Sequence, residues 1–66
     1  MELRKRIARR VEKLRGKRTR EDLASAAGIS YATVINVESA ETNPTLDVLE
    51  RIAGALGVKV EALVKS

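Results

Sequence analysis

Residues 19–38 (TREDLASAAGISYATVINVE) restrict the possible folds more than any other part of the chain. Thr19 is a candidate helix N-cap, and the two carboxylates that follow it suit the positive end of a helix dipole. Gly28 is expected to end this first helix, because glycine tolerates the left-handed backbone of a C-cap. Ser30 is a second candidate N-cap, so a second helix follows at once. The apolar positions expected to face inward are Leu23, Ala24, Ala27, Ile29, Val34 and Val37.

The side-chain chemistry of the chain limits both its core and its possible functions. At 66 residues it lies near the lower end of the lengths that fold alone. It contains no Cys and no His, which excludes disulfides, thiolate metal sites and the commonest catalytic base. Tyr31 is the only aromatic residue, so the core must consist of Leu, Ile, Val and Ala. The usual catalytic and metal-binding side chains are missing, and a domain this small has little room for a cleft of roughly 300 Å³ or more. We therefore expect no catalytic residue, no cofactor, no metal and no small-molecule substrate.

The net charge of +4 is distributed unevenly along the sequence. Residues 1–20 contain ten Lys and Arg and two Glu, a charge of +8, whereas residues 21–66 carry −4. A basic end on a small domain suggests a polyanionic partner, although a basic helix also binds membranes or acidic proteins, or simply keeps a protein soluble. No apolar run approaches the ~18 residues of a membrane span, and no signal-peptide pattern is present. We therefore expect a cytoplasmic protein without a membrane partner.

Apolar residues at steps of three and four predict further helices on both sides of this central pair. The stripe of the first helix consists of Leu3, Ile7, Val11 and Leu14, and that of the fourth consists of Leu46, Leu49, Ile52, Ala53 and Leu56. Pro44 interrupts the helical pattern between them. The predicted helices span residues 3–15, 20–27, 31–39, 46–56 and 60–65. The sequence thus predicts an all-α, compact five-helix bundle in a single domain over residues 1–66.

Two helices joined by a short glycine-containing turn form a helix-turn-helix unit, whose second helix can enter a DNA major groove. Several short motifs place this unit in a known family. They are REDLA (20–24), AGIS (27–30), TVxxVE (33–38), NPTL (43–46) and LxxIAxALGV (49–58). In this order and at these intervals they resemble the phage repressor and Cro-like helix-turn-helix proteins, also called the XRE family. The resemblance covers nearly the whole chain.

The resemblance implies a fold of the lambda-repressor-like type and a sequence-specific regulator of transcription. Family members often act as repressors that bind palindromic operators on double-stranded DNA as homodimers. A protein of this kind is expected in the cytoplasm of a bacterium, at the nucleoid, and is encoded by the bacterium or by a phage. The helix over residues 31–39 would then lie in the major groove.

The resemblance also implies which residues would face the base edges, namely Tyr31, Ala32 and Asn36. An Asn amide can bond adenine at two positions, and an Ala methyl can meet a thymine methyl. Tyr31 could instead bond a phosphate or stack its ring against a sugar or a base.

Other positions match residues that contact phosphates or hold the motif together in the family. The implied phosphate contacts are Lys17, Arg18, Arg20, Ser30, Thr33, Ser39 and Asn43. For Arg20, its own charge and the helix N-terminus would act on the same phosphate. Glu38 matches an acid that pairs with a basic residue of the first helix, here expected to be Lys13. Ala24 and Gly28 are expected to be structural, through their small size and the turn geometry.

Three features depart from the family pattern. Ser39-Ala40-Glu41 replaces the usual Gly followed by Lys or Arg, and Glu41 puts a negative charge near the expected path of the phosphates. The predicted reading helix contains no Arg, Lys or Gln, which increases the expected share of DNA shape readout. Ile35 falls at a usually polar position and is expected to be exposed. These departures motivate an alternative, a protein-interaction module that keeps the fold without reading an operator; an enzyme is the least favoured hypothesis.

Overall fold

The computed structural model describes residues 2–65; residues 1 and 66 of the predicted domain lie outside this range. Over the described residues the chain forms five α-helices and no strand. The helices are α1 (Leu3–Arg15), α2 (Arg20–Ala27), α3 (Tyr31–Glu38), α4 (Leu46–Leu56) and α5 (Glu61–Val64). The all-α prediction with five helices is therefore confirmed.

Side-chain caps explain where three of these helices begin. The hydroxyl oxygens of Thr19, Ser30 and Thr45 accept hydrogen bonds, at 3.0 to 3.1 Å, from the backbone N–H groups three residues further on. Asp22 returns the bond at α2, where its Oδ2 accepts from the Thr19 N–H at 3.4 Å and completes a capping box. Each cap satisfies a backbone donor that the helix itself leaves unpaired.

The core lies between all five helices and is entirely aliphatic. Helix α1 packs against α3 and α5, while α2 packs against α3 and α4. The buried cluster consists of Ile7, Val11, Leu23, Ala24, Ala27, Val34, Val37, Leu49, Ile52, Ala53 and Leu63. The small side chains of alanines on α2 and α4 are part of this cluster, and these two helices pack against each other.

Three leucines expected in the apolar stripes are exposed, so that part of the stripe prediction was wrong. Leu3 and Leu14 lie in the first and last turns of α1, outside the segment that contains its buried residues Ile7, Ala8 and Val11. Leu46 is 66% exposed at the first position of α4. Because a helical side chain leans toward the N-terminus, Leu46 points past the end of its own helix instead of into the core.

The last helix is shorter than expected and is tied to α1 by arginines. Leu63 is fully buried, and α5 comprises four residues instead of six. Arg6 Nη1 donates to the carbonyl oxygen of Val64 at 3.1 Å, and Arg10 Nη1 donates to that of Ala62 at 3.0 Å. These bonds satisfy carbonyl groups that so short a helix cannot pair by itself.

Helix α3 ends one residue earlier than expected, at Glu38. Ala40 adopts a positive φ of 58°. Its N–H donates to the carbonyl of Val37, and the N–H of Glu41 donates to the carbonyl of Asn36. This turn closes the helix and takes Ser39 out of it. A left-handed backbone costs a residue with a Cβ about 1–2 kcal/mol, so Ala40 holds this turn with some strain.

Candidate nucleic-acid interface

The turn between α2 and α3 fixes the geometry of the central motif. Gly28 has a φ of +69°, and its N–H bonds the carbonyl of Ser25 at 3.2 Å. The N–H of Ile29 bonds the carbonyl of Ala24 at 3.0 Å, so the end of α2 is closed by two backbone bonds. A Cβ at Gly28 would strain the backbone and would lie 3.2 Å from a guanidinium nitrogen of Arg51. The turn therefore strongly favours glycine.

Helix α3 has one buried side and one side that faces outward. Val34 and Val37 are buried against the core. On the other side Ala32 is exposed and Asn36, four residues further along, is half-buried. Tyr31, at the first position of α3, is 47% exposed. All three predicted base-reading residues are thus at least partly accessible, and Ala32 and Asn36 share the side opposite the valines.

Ile35 is half-buried, so the expectation that it would be exposed was wrong. It directly follows the buried Val34 and lies at the margin of the contact that α3 makes with the core. Partial cover at this margin makes an isoleucine acceptable at a position that is usually polar.

Three hydroxyls predicted to contact phosphates already make hydrogen bonds within the protein. The Ser30 and Thr33 hydroxyls lie 2.7 Å apart and share one hydrogen bond, and Ser39 Oγ donates to the Ile35 carbonyl at 2.7 Å. Each hydroxyl has a single proton to donate. Ser39 would therefore have to break its bond to donate to a phosphate, whereas the Ser30–Thr33 pair retains one free donor.

Glu38, at the end of α3, is the most highly connected side chain of the motif. Its carboxylate accepts two bonds from Arg15, from Nε at 2.8 Å and from Nη2 at 3.0 Å. It accepts a third from Arg20 Nε at 2.9 Å. The Glu38 side chain is only 1% exposed, compared with 40% for Arg20. We call these three residues the Glu38 cluster; it joins α1, α2 and α3 through one buried carboxylate.

The pKa values of the Glu38 cluster show that its charged state is favoured. Burial alone would raise the pKa of Glu38, but the hydrogen bonds and charges of Arg15 and Arg20 outweigh it and hold the pKa below the ordinary value. The same hydrogen bonds raise the pKa of both arginines. The carboxylate is thus ionised at neutral pH.

The prediction that Glu38 pairs with Lys13 was wrong, because its partner on α1 is Arg15. Lys13 is exposed, two residues beyond the buried Val11 and so on the opposite side of α1. Arg15 lies four residues beyond Val11 and therefore on the side that faces α3. The helical spacing from Val11 was a signal in the sequence that pointed to Arg15.

The remaining candidates are exposed residues of the loops that precede α2 and follow α3. Lys17 is exposed, and Arg18 is exposed with its Nη1 donating to the Ala55 carbonyl at 3.3 Å. Asn43 is exposed in the loop between α3 and α4, and so is Glu41. Among the described residues no cluster of carboxylates could hold a metal ion. None of the five helices is long and apolar enough to cross a membrane.

Comparison with known protein sequences places the motif in context. The helix-turn-helix family pattern matches residues 7–63. The chain is 37% identical over 60 residues to the immunity repressor protein of Bacillus phage phi105, covering 88% of this chain and 42% of that protein. It is 42% identical over 43 residues to an HTH-type transcriptional regulator of Methanocaldococcus jannaschii, covering 65% of each. The chain therefore spans less than two thirds of both relatives.

Two solved structures resemble the whole arrangement of helices. A hypothetical transcription factor from Neisseria superposes with a TM-score of 0.89 at 31% identity, over 96% of this chain and 75% of that one. The restriction-modification controller protein C.AhdI from Aeromonas hydrophila superposes with a TM-score of 0.85 at 26% identity, over 91% of this chain and 94% of that one. The lambda-repressor-like fold that the sequence predicts is confirmed.

Proposed function

Since the chain belongs to the helix-turn-helix family of transcriptional regulators, we propose that it binds double-stranded DNA and represses transcription, as a homodimer on a palindromic operator. Helix α3 lies in the major groove of each half-site, and the protein acts in the cytoplasm at the nucleoid. The observation that carries this proposal is the accessible part of α3, where Ala32 and Asn36 lie opposite the buried valines and the exposed Tyr31 occupies the first helical position.

The charge distribution supports a nucleic-acid partner. Ten of the thirteen Lys and Arg residues lie within residues 1–20, the segment that forms α1 and the start of α2. Such a concentration of positive charge attracts the DNA backbone, and each phosphate contact releases condensed counterions. Affinity for DNA should therefore fall steeply as salt is added.

Selection of bound sequences from a random pool of duplex DNA at moderate salt tests the proposal directly. We expect an inverted repeat whose half-sites are about 10 base pairs apart, one turn of the double helix, because a symmetric dimer presents two α3 helices. A pool without any enriched sequence, although the protein is folded, would contradict sequence-specific reading. It would favour the protein-interaction module, which the exposed Glu41 near the expected phosphate path also favours.

Asn36→Ala tests the reading helix itself. Loss of the amide should cost on the order of 1–3 kcal/mol at one base position and relax the preference there. Asn43→Ala is the matched control, since it removes the same group at an exposed loop position expected to face a phosphate, and should weaken all sequences alike. An unchanged base preference in Asn36→Ala would exclude a reading role for this residue.

A further inference from the structure

The Glu38 cluster lies next to the proposed DNA-binding face and has a geometry that base reading does not explain. We propose that Glu38 and Arg15 are positioning residues that fix Arg20 beside Tyr31, so that the Arg20 guanidinium and the Tyr31 hydroxyl together clamp one DNA phosphate. This inference rests on the proposed function and deepens it. It assigns Tyr31 to the DNA backbone and leaves base reading to Ala32 and Asn36.

The position of Arg20 is the first argument for the clamp. Its Nε–H is bonded to the buried Glu38 carboxylate at 2.9 Å, yet 40% of the side chain is exposed. A guanidinium carries five N–H donors in one plane, so four donors on the Nη atoms remain for other partners. One end of the group is therefore anchored, and the other end can meet a phosphate in the bidentate geometry that suits arginine.

The charge of the Glu38 cluster is the second argument. A carboxylate that contacted Arg20 alone would cancel its positive charge. Here Arg15 also donates to both carboxylate oxygens, at 2.8 and 3.0 Å, so two positive charges share one negative charge. The three residues therefore have a net charge of +1. Arg15 is the more covered of the two arginines, with 14% of its side chain exposed. The uncompensated charge of the cluster is thus carried on its outer side, at Arg20.

Tyr31 supplies the third argument. It precedes Glu38 by seven residues on α3, two helical turns, and therefore lies on the same side of the helix about 10 Å away. The pKa of Arg20 is raised first by the hydrogen bond to Glu38 and then by its charge, while burial and the charge of Arg15 act against them; the smallest contribution, which also raises it, is a hydrogen bond with the Tyr31 side chain. That hydroxyl can accept from Arg20 and donate its own proton to a phosphate oxygen.

Binding to a mixed-sequence duplex separates backbone contacts from base contacts. The probe is a labelled duplex of about 20 base pairs, titrated at several salt concentrations and followed by fluorescence anisotropy. Arg20→Gln should reduce the slope of log K against log salt by about 0.9, the value for one phosphate. Arg9→Gln is the matched control, because it removes the same charge at an exposed position of α1 outside the Glu38 cluster, and should change the slope less.

Tyr31→Phe distinguishes the clamp from base reading by Tyr31. The phenol carries no charge, so we expect about five- to tenfold weaker binding to the mixed-sequence duplex with an unchanged salt slope. If Tyr31→Phe bound the mixed-sequence duplex as tightly as the wild type but showed an altered preference in sequence selection, the clamp would be wrong and Tyr31 would contact the bases. It would leave the proposed function standing.

Glu38→Gln tests positioning, because charge and geometry then predict opposite results. The substitution raises the charge of the protein by one, and attraction alone would tighten binding. Loss of the anchor should instead weaken binding and speed the exchange of the Arg20 Nε–H seen by NMR in the free protein. Tighter binding by a folded variant would overturn the positioning role. Absence of duplex binding by the wild type at low salt would overturn the proposed function and the clamp together.

Discussion

Two pairs of arginines tie the helices together, and they differ in the group that accepts their hydrogen bonds. Arg6 and Arg10 on α1 bond to backbone carbonyls of α5, and we call them the carbonyl pair. Arg15 and Arg20 bond to the carboxylate of Glu38. A carbonyl is neutral, so these two bonds cancel none of the positive charge of the carbonyl pair, whereas the carboxylate of the Glu38 cluster reduces the charge of its two arginines to a net +1.

The difference shows that one residue type serves two purposes in this domain. If an arginine of the carbonyl pair is lost, water can replace it at a partly exposed carbonyl. If Glu38 is lost, two guanidinium groups remain side by side without their shared counter-charge, and Arg15 is mostly covered. We therefore expect the contact between α1 and α5 to tolerate substitution, and the contact of α3 with α1 and α2 to depend on one side chain.

Among the substitutions that test this difference, Glu38→Ala should have the largest effect on the free energy of unfolding. Breaking a buried pair from one side costs about 3–5 kcal/mol. A domain of 66 residues is stable by about 3–10 kcal/mol, at roughly 0.05–0.15 kcal/mol per residue, so the variant should lose a large part or all of its stability. Urea denaturation followed by circular dichroism measures the loss. Glu41→Ala, which removes an exposed carboxylate three residues away, should change the free energy of unfolding by less than about 0.5 kcal/mol.

Acid should weaken the Glu38 cluster without any substitution. The native pKa of Glu38 lies below its ordinary value of 4.5, so its ionisation stabilises the fold at pH values above 4.5. That stability is lost as the pH falls through the lowered native pKa. The effect should be smaller than that of Glu38→Ala, because a protonated carboxyl still offers an oxygen acceptor. Thermal midpoints between neutral and acidic pH would show it as a steeper decline in the wild type than in Glu38→Gln; parallel declines would contradict it.

The smallest expected effect concerns the carbonyl pair. Arg10→Met keeps most of the aliphatic length but removes the donor to the Ala62 carbonyl, which should cost about 1–2 kcal/mol. Faster hydrogen exchange confined to α5 would locate the loss. Lys13→Met is the control on the exposed side of α1. If Arg10→Met destabilised the protein as strongly as Glu38→Ala, the proposed contrast between the two regions would be wrong.

Features that depend on neighbours in sequence could be predicted from the sequence. The caps at Thr19, Ser30 and Thr45 and the turn at Gly28 are local chemistry, and all four delimit helices in the structure. The exposure of Leu46 could not be predicted in this way. Periodicity shows which side of a helix is apolar, but not how far the neighbouring helices extend to cover it.

The candidate site was less predictable, because its contacts join helices that are distant in sequence. That Glu38 binds a basic residue of α1 was expected, but its partner depends on which side of α1 faces α3. The hydrogen bond that Ser39 Oγ donates to the Ile35 carbonyl could not be predicted from the sequence and is seen only in the folded structure. The assignment of Ala32 and Asn36 to base edges stays a prediction, because an outward side chain on α3 can face either a base or the backbone.

The exposed location of Tyr31 at the start of α3 has a spectroscopic consequence. The chain contains no Trp and no Phe, so this phenol is its sole near-ultraviolet chromophore. The aliphatic core contributes nothing to absorption or fluorescence at these wavelengths. Intrinsic fluorescence therefore reports on what touches α3, while loss of the fold has to be followed through the backbone signal in the far ultraviolet. The protein thus carries an optical probe at the surface where we expect its ligand.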